Sequence, residues 1–354
     1  MIISLTCSGM RTKQKMIDLL IRKSNAVFPR ANYLQKEFEE CPFCGSRSIE
    51  SLGKLHQSPD ITIHTDFISI IGTVLSGGME PDIKICTCRN CHIGFFNPQP
   101  TEEFLKKFYT CFEVGDHKKA RINPRRLASH IKRHSGNLFP GETYRILDFG
   151  GGEGSVSQCI GQLLISSGIA KKVNISVVDL QSFTHKSEKF IFQDSYESLD
   201  QIPQDDKFDI VIASAILEHV KDPKQIILSL LQRMNKGGIF YARTPYTFPF
   251  YNMFKKLGLS FGMNYPAHLF DMGSYFWSDL LTTLNKSDSY RMKRSHTSLV
   301  HTEFRKHPIV NIVSHMVKWP SSLIGKWYPL SGGWEVVIER KTSPPAPSPK
   351  REGS

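Results

Sequence analysis

The sequence predicts an α/β fold built on a parallel sheet, and three observations point to it. From Glu142 onward, apolar runs of strand length alternate with segments of helical periodicity. The first run ends in four glycines within five positions, residues 150–154. The longest candidate for a membrane span, the 13 uncharged residues 67–79, is too short to cross a bilayer. Because such alternation needs crossover connections, we expect a parallel sheet with helices on both faces.

The elements of this sheet follow one another with short connections. Strands are predicted at 144–149, 173–179, 189–193, 208–214 and 237–243, near 291–300, and at 334–341. Helices are predicted at 154–167, 222–235 and 273–285. An N-capped amphipathic helix should also begin at "PTEEFLKKFY", residues 100–109.

A glycine turn follows the first predicted strand, in "RILDFGGGEGSVS". Such a strand-to-helix turn points backbone N–H groups at a ligand, and glycine permits both positive φ and close approach. A dinucleotide-binding turn favours G-x-G-x-x-G without a nearby acid. Here Gly150, Gly152 and Gly154 are spaced G-x-G-x-G, and Asp148 lies two residues before the first glycine. A carboxylate at that position favours a cationic ligand.

Two later stretches extend this pattern. "VNISVVDL" ends in Asp179, near the spacing expected of an acid that accepts hydrogen bonds from ribose hydroxyls. "KFDIVIASAILEHVKDP" contains the fourth predicted strand and then residues 217–223, which match LEHV-x-DP. "LLQRMNKGGIFYARTP" supplies a helix, a Gly-Gly turn and a fifth strand.

Together these stretches resemble the Rossmann-like, or class I, S-adenosylmethionine-dependent methyltransferases over about 100 residues. The resemblance implies a seven-stranded sheet with an antiparallel final strand, and S-adenosylmethionine as cofactor. The implied contacts place an acid at the ammonium end, glycines under the methionine part, an acid at the ribose, and an apolar and an acidic residue at the adenine. In this chain the implied cofactor residues are Asp148, Gly150, Gly152, Gly154, Asp179, Leu180, Asp194 and Ser214.

The reaction needs little from the protein beyond alignment and the removal of one proton, because a sulfonium methyl group is already activated. His219 is the first candidate for general base, since an unperturbed imidazole pKa of about 6.5 suits neutral pH. Glu218 stands beside it, and His268 is the second candidate base. The alternative is that His219 packs against the following helix.

The residues after the fourth strand narrow the acceptor. Amino-directed base methyltransferases usually carry Asn or Asp followed by Pro-Pro-Tyr there, and cytosine C5 enzymes carry Pro-Cys. This chain has Ser214-Ala215-Ile216, which disfavours methylation of those two kinds. A hydroxyl or carbon of a small molecule is the favoured acceptor.

Two C-x-x-C knuckles indicate a metal site in the front of the chain. Cys41, Cys44, Cys88 and Cys91 supply four thiolates for a structural tetrahedral zinc ion, although 43 residues separate the knuckles. Cys86 is left over. "CRNCHIGFFNPQPTEEFLKKFY" resembles the zinc-ribbon lead-in of bacterial sugar and glycan-pathway methyltransferases, which implies a nucleotide-linked sugar or glycan precursor as acceptor.

Charge bears on partners without selecting one. The net charge is +12 and the pI about 9.2, which favours acidic partners. Seven Lys or Arg residues between positions 118 and 133 read either as a solvated helix face or as a phosphate-binding face. An RNA methyltransferase using this run, and a scaffold that has lost catalysis, are the alternatives to the small-molecule enzyme.

The sequence divides into five segments. They are a basic helical lead-in (1–32), the zinc-ribbon-like module (33–100), a helical linker (101–140), the methyltransferase domain (141–342) and a disordered tail (343–354). The apolar start precedes its charges, the reverse of a secretory signal, so we expect a cytoplasmic protein with reduced cysteines. The aromatic and basic residues at 246–266 and 304–334 favour a cap on the core, with peripheral membrane contact as the alternative.

Overall fold

The computed structural model describes residues 34–55, 82–113, 123–136, 138, 140–180, 190–259, 263–298, 312, 315–316, 318–328 and 330–342. The predicted lead-in, the predicted tail and most of the arm between the two cysteine knuckles lie outside these residues. No helix within the described ranges is long and apolar enough to cross a bilayer.

Two compact units make up the chain. The first contains residues 1–90, 94–120 and 248–271, and the second contains 91–93, 121–247 and 272–354. Residues 248–271 therefore group with the front of the chain, whereas the sequence division places them in the methyltransferase domain. That five-part division stays a prediction.

The first unit is built on a four-stranded antiparallel sheet in the order β1-β2-β3-β9. Its core gathers aromatic side chains, with Phe96 packing edge-on against Phe248 and beside Tyr265. The first helix begins as predicted, because Thr101 Oγ1 accepts from Phe104 N at 3.3 Å. The elements are β1 (Ile49–Lys54), β2 (Lys84–Cys88), β3 (Gly94–Asn97), α1 (Glu102–Glu113), α5 (Phe248–Lys256) and β9 (Phe270–Asp271).

The second unit is built on a seven-stranded mixed sheet in the order β10-β11-β8-β7-β4-β5-β6. Strands β4 to β8 run parallel to one another, and β11 is antiparallel to both β8 and β10. The elements are α2 (Pro124–His134), β4 (Gly141–Phe149), α3 (Ser155–Ser166), β5 (Ala170–Val178), β6 (Ile191–Tyr196), a 3₁₀ turn (Leu199–Gln201), β7 (Phe208–Ser214), α4 (Pro223–Gln232), β8 (Met234–Tyr246), α6 (Ser274–Thr283), β10 (Tyr290–Thr297), α7 (Ser321–Ile324), a second 3₁₀ turn (Gly325–Trp327) and β11 (Gly332–Arg340).

This strand order positions a ligand site at the end of β4. The chain leaves β4 toward β5 and β6 on one side, then returns to build β7 and β8 on the other. In open α/β sheets, ligands bind outside the carboxyl ends of the strands where the order reverses. The predicted parallel strands and the antiparallel last strand are thus confirmed, and the ligand site at this edge stays a prediction.

The described half of the basic run forms helix α2 and packs on this sheet. Asn123 Oδ1 accepts from Arg125 N and Arg126 N, and Pro124 occupies the first turn, so both start signals act together. Leu127, Ala128 and Ile131 are buried in the core that also contains β4, β7 and β11 residues. The run is therefore an amphipathic helix rather than a uniformly charged surface over residues 123–134.

The observed strand limits differ from the predicted ones by one to three residues in every strand of the large sheet except β7, and two of these differences affect the interpretation. β8 begins at Met234 instead of 237, and its Gly-Gly pair lies within the strand, where a register shift against β7 occurs. Glycine pairs favour turns by composition, but a bulged strand also accommodates the positive φ of Gly237. β6 extends to Tyr196, which places Asp194 inside the strand rather than after it.

The aromatic back end is split between core and surface. Trp334 on β11 is fully buried, with Nε1 donating to Ser295 Oγ at 2.8 Å. Trp319 and Trp327 are about two-thirds exposed (67% and 66%). Membrane contact by these exposed side chains stays a prediction, tested by sedimentation with anionic liposomes.

Candidate active site

The glycine turn between β4 and α3 has the predicted left-handed backbone. Gly150, Gly152 and Gly154 have φ values of +71°, +55° and +75°. Gly150 N donates to Val178 O on the neighbouring strand at 2.7 Å, and Gly154 N donates to Gly151 O at 2.9 Å. These bonds hold the turn against the end of β5 and start helix α3.

The glycines are required for different physical reasons. A Cβ on Gly150 would lie 2.4 Å from Ile216 Cγ1, and one on Gly151 would lie 2.5 Å from Asp148 Cγ. A Cβ on Gly152 would meet nothing within 4 Å, so only its φ requires glycine. The sequence reasoning missed Gly151, because the G-x-G-x-G spacing passes over it and only the fold shows its contact with Asp148.

Asp148 is a fully buried carboxylate at the end of β4. Its exposed fraction is 3%, and Oδ2 has no hydrogen-bond partner. The pKa of this carboxyl is raised from 3.8 to about 6, mainly by burial and also by the nearby charge of Asp179. Hydrogen bonding by Ser157 opposes this shift. A buried acid without a partner for one oxygen is an incomplete arrangement that a bound cation would complete.

Asp179 contacts the same turn from the end of β5. Its Oδ2 accepts from Gly152 N at 2.8 Å, and its own N–H donates to Tyr196 O at 2.9 Å. The next side chain, Leu180, is 75% exposed and presents an apolar surface. Asp194 is also exposed, on β6 opposite Ser176. The cofactor contacts assigned to Asp179, Leu180 and Asp194 stay predictions.

The end of β7 lies beside the glycine turn. Ser214 Oγ accepts from Arg243 Nε at 3.3 Å, and Ala215 then adopts a left-handed backbone with φ of +59°. A positive φ in alanine costs free energy and persists where the surrounding structure imposes it. This reversal lets Ile216 pack against Gly150, and no sequence signal marked Ala215 as special.

Glu218 and His219 follow this reversal. Glu218 is 2% exposed and its Oε2 has no hydrogen-bond partner. Burial raises its pKa from 4.5 to about 7, opposed by a backbone hydrogen bond and by Arg243. The His219 side chain is 24% exposed, and its Nε2 lies 3.9 Å from Glu218 Oε1, which is an ion-pair distance and too long for a hydrogen bond. The imidazole is therefore accessible beside a second buried acid.

The last two residues of the LEHV-x-DP stretch have a structural role. Asp222 Oδ1 accepts from Gln225 N at 2.9 Å, and Pro223 occupies the first turn of α4. Both are helix-start signals. The preceding Leu217 is fully buried, so only Glu218 and His219 of this stretch are candidates for chemistry.

The other named residues have mainly structural contacts. Thr244 Oγ1 donates to Met272 O at 2.8 Å and accepts from Trp277 Nε1 at 2.9 Å, so it is part of the core. His268 belongs to the first unit, where its N–H donates to Asn264 O at 2.8 Å. Its role as second base stays a prediction.

The two cysteine knuckles come together. The four Sγ atoms all lie within 4.8 Å of one another, in Cys41, Cys44, Cys88 and Cys91. Cys44 Sγ is 3.6 Å from Cys88 Sγ. Four zinc–sulfur bonds of 2.3 Å in a tetrahedron would separate the sulfurs by about 3.8 Å, so the cluster fits such an ion. Gly45 N donates to Cys41 O and Asn90 N donates to Cys88 Sγ, which tightens each knuckle.

Two other side chains close to the knuckles in sequence, Cys86 and His92, lie outside this cluster. Cys86 is buried on β2, where burial raises its thiol pKa from 9.0 to about 11 and keeps it protonated. His92 Nε2 lies 3.5 Å from Asp279 Oδ2, and its ring contacts Tyr275. The four knuckle cysteines are therefore the set that sequence spacing predicted.

The donor set at the glycine turn fits S-adenosylmethionine. Asp148 offers a buried carboxylate to a cationic group, the turn offers backbone amides, and Asp179 stands at the adjacent strand end. The raised pKa of Asp148 shows how costly its charge is without a counter-ion. A cofactor with a positively charged end would offset that cost.

Comparison with known proteins gives a consistent result. Residues 117–286 match the sequence family described as a methyltransferase domain. The mitochondrial ubiquinone biosynthesis O-methyltransferase of Candida albicans is 32% identical over 104 residues, 28% of this chain and 32% of that protein. The ubiquinone biosynthesis O-methyltransferase of Paramagnetospirillum magneticum is 26% identical over 165 residues, 43% of this chain and 65% of that protein.

The match is partial in both relatives, since this chain spans less than two thirds of the length of each. Among solved structures, the plantazolicin methyltransferase BamL in complex with a substrate analogue and S-adenosylhomocysteine is 15% identical, covers 67% of this chain and 91% of that chain, and has a TM-score of 0.39. The fold assignment comes from the strand order and the family match. The seven-stranded sheet and the family match over residues 117–286 together support a class I, S-adenosylmethionine-dependent methyltransferase domain.

Proposed function

We propose that this protein transfers a methyl group from S-adenosylmethionine to a hydroxyl or carbon of a small molecule. The observation that carries the proposal is Asp148, a buried carboxylate whose Oδ2 has no partner, beside a glycine turn with a left-handed backbone. Such an acid favours a cation and repels a diphosphate. The ligand is therefore a positively charged sulfonium nucleoside and not a pyridine dinucleotide.

The cofactor supplies an activated methyl group on a sulfonium centre. Asp148 would hold the ammonium end, and Gly150 to Gly154 would lie under the methionine part. Asp179 would accept from the ribose hydroxyls, and the exposed side chain of Leu180 would be covered by the adenine. Each contact uses a residue at the carboxyl edge of the sheet, where the strand order reverses.

His219 would take the acceptor proton. Its imidazole is partly exposed, and Glu218 Oε1 lies 3.9 Å from its Nε2. Methyl transfer would break the methyl–sulfur bond and release S-adenosylhomocysteine. The proton lost by the acceptor oxygen or carbon would pass to the imidazole, and a negative Glu218 would stabilise the imidazolium. The two buried acids thus have different tasks, with Asp148 binding the cofactor and Glu218 supporting the base.

Oxygen is the acceptor atom that the relatives favour, since both are named as O-methyltransferases. A nucleotide-linked sugar or glycan precursor is the proposed acceptor class, and its support is the resemblance of residues 88–109 to the zinc-ribbon lead-in. The knuckle cysteines would hold a structural zinc ion with no open coordination position. Metal analysis after gentle purification and the stability of Cys41→Ser test that ion.

Calorimetry with S-adenosylhomocysteine, and separately with NAD, tests the cofactor assignment. We expect saturable binding of the first ligand and none of the second. Tight binding of NAD with no response to the nucleoside thioether would overturn the proposal. Mass spectrometry of a panel of hydroxylated aromatic compounds and sugar nucleotides, incubated with S-adenosylmethionine, then identifies the acceptor by a gain of one methyl group.

A further inference from the structure

A cluster of three histidines lies in the second unit, away from both sites described above. We define the histidine cluster as His130 and His134 on α2 together with His296 on β10. One ring nitrogen of each lies within 4.8 Å of one ring nitrogen of the others. The His130 and His134 ring centroids are 4.0 Å apart, and those of His134 and His296 are 5.2 Å apart.

The fold brings the three histidines together from two elements, α2 and β10, with Glu335 of β11 beside them. His130 and His134 are four positions apart on a helix, so they share one face. That face packs on the sheet side where Val337 of β11 joins the core with Leu127 and Ile131 of the helix. His296 is paired with Glu335 across the β10–β11 ladder, and Glu335 points to the same sheet side as Val337.

Each imidazole has one ring nitrogen fixed by an oxygen that can only accept. His134 Nδ1 lies 2.8 Å from His130 O, and His296 Nδ1 lies 2.9 Å from Thr297 O. His130 Nε2 lies 2.5 Å from Glu335 Oε2. Because a carbonyl or carboxylate oxygen cannot donate, each of these nitrogens carries the proton. The opposite nitrogen of every ring therefore has its lone pair available as an acceptor.

This arrangement is the one that metal-binding histidines adopt. A ligating imidazole almost always donates its other N–H to a carboxylate or a backbone carbonyl, which fixes the tautomer and the ring orientation. Here two rings use carbonyls and the third uses Glu335, a side chain that is 1% exposed and that also accepts from Ser298 Oγ. Glu335 supplies a buried negative charge that a cation in the cluster would offset.

The spacing is within reach of coordination. Zinc–nitrogen bonds of 2.0–2.1 Å in a tetrahedron place ligand nitrogens about 3.3 Å apart. Because the ring nitrogens lie within 4.8 Å of one another, each pair has to approach by no more than about 1.5 Å. Three imidazoles leave a fourth position for water. The glycine turn is distant, because three strand spacings separate β4 from β11, about 14 Å along the sheet.

We propose that His130, His134 and His296 bind a divalent transition metal such as Zn²⁺, with Glu335 as the positioning residue behind His130. The ion would join α2 to the β10–β11 edge of the sheet. This site is independent of the methyl-transfer site and of the cysteine cluster, and it uses no residue of either.

Zinc content tests the proposal in the full-length protein. Wild type, His134→Gln, His296→Asn and the control His315→Ala, an exposed histidine outside the cluster, are equilibrated with Zn²⁺ against a chelator of micromolar affinity, and bound zinc is then counted per chain. We expect the two cluster variants to hold one equivalent less than wild type and the control. Equal zinc content in all four proteins overturns the proposal, whatever the cysteines bind.

Two further measurements protect the test from misfolding. Far-UV circular dichroism and thermal unfolding establish which variants are folded. In wild type, X-ray absorption at the zinc edge should show nitrogen as well as sulfur neighbours, and a sulfur-only shell at full loading would contradict the proposal. Glu335→Gln should weaken zinc binding about 10- to 100-fold while the three ligands remain, as expected of a positioning residue.

Discussion

Two regions of the second unit bury carboxylates to the same extent but differ in whether those carboxylates have hydrogen-bond partners. At the glycine turn, Asp148 and Glu218 are 3% and 2% exposed, and each has an oxygen without a partner. Beside the histidine cluster, Glu335 is 1% exposed, yet His130 and Ser298 both donate to it. The pKa values follow: burial raises those of Asp148 and Glu218, whereas the partners of Glu335 overcome burial and keep its pKa below 4.5.

The difference shows how a ligand site can be told from a structural one in this fold. A buried charge normally needs a partner, because desolvation disfavours the ionised form. Where the chain supplies the partner, the acid contributes to stability. Where it does not, the energetic cost persists until a ligand supplies the opposite charge, and such costs concentrate at functional sites.

Asp148→Asn should produce the largest change in this comparison. The amide keeps the shape but removes the charge, so the protein without cofactor should unfold with a free energy about 3 kcal/mol higher at pH 8, from a shift of roughly two pKa units at 1.36 kcal/mol each. The folded carboxyl binds its proton more tightly than the unfolded one, so wild-type stability falls as pH rises from about 4 to about 6. Urea unfolding across this range measures the difference, which should vanish near pH 4.

The same variant should weaken binding of S-adenosylhomocysteine by at least tenfold, as measured by calorimetry. Asp205→Asn is the matched control, because that acid is exposed and has no assigned cofactor contact, so its neutralisation should leave both the stability profile and the affinity unchanged. Stabilisation of the cofactor-free protein together with unchanged cofactor affinity would show that Asp148 is structural.

His219→Ala sharpens the comparison on the side of Glu218. We expect turnover to fall about a hundredfold or more, because an acceptor proton would lose its base, while cofactor affinity changes only a few-fold. Initial rates with the acceptor identified by mass spectrometry measure the first quantity, and calorimetry measures the second. His315→Ala is the control. Full turnover in His219→Ala would show that His219 has a packing role only.

Glu335→Gln should have the opposite sign to Asp148→Asn. Neutralising this acid weakens two charge-assisted hydrogen bonds, so the free energy of unfolding should drop by about 2 kcal/mol at neutral pH. Glu339→Gln on the same strand is the control, since its ion pairs with Arg291 and Lys293 are partly exposed and should be worth about 1 kcal/mol. If Glu335→Gln stabilised the protein, the contrast between the two regions would be lost.

Ala215→Gly should give the smallest effect. Its left-handed φ of +59° costs an alanine about 1–2 kcal/mol, and the flexibility of glycine in the unfolded chain offsets about 0.5–1 kcal/mol of the relief. A net stabilisation of about 0.5 kcal/mol is expected from urea unfolding. Ala213→Gly, two residues earlier in the buried strand, should destabilise instead, and equal effects at both positions would remove the evidence for strain.

The sequence was most informative where a local pattern and the fold impose the same requirement. Apolar periodicity predicted all seven strands of the large sheet, because burial on both faces leaves a continuous apolar run, and the family resemblance implied the antiparallel last strand. The G-x-G-x-G spacing predicted positive φ at Gly150, Gly152 and Gly154, since few other residues tolerate it. Cysteine spacing likewise predicted which four sulfurs meet.

Other features have no local signature, because they depend on segments that are far apart in the chain. Gly151 is required only because Asp148 turns back toward it, and Ala215 is strained only because Ile216 must reach Gly150. The histidine cluster joins positions 130, 134 and 296, and no spacing rule connects a helix before the sheet to its last hairpin.

The sequence by itself therefore determined the class of the fold, the glycine turn at the carboxyl edge of the sheet and the chemical types of residue at that edge. Tertiary structure decided which buried acids have partners, since Asp148 and Glu335 are both single carboxylates in apolar strands and differ only in what packs against them. Burial can be inferred from periodicity, whereas hydrogen-bond satisfaction depends on distant residues that meet only in the folded chain.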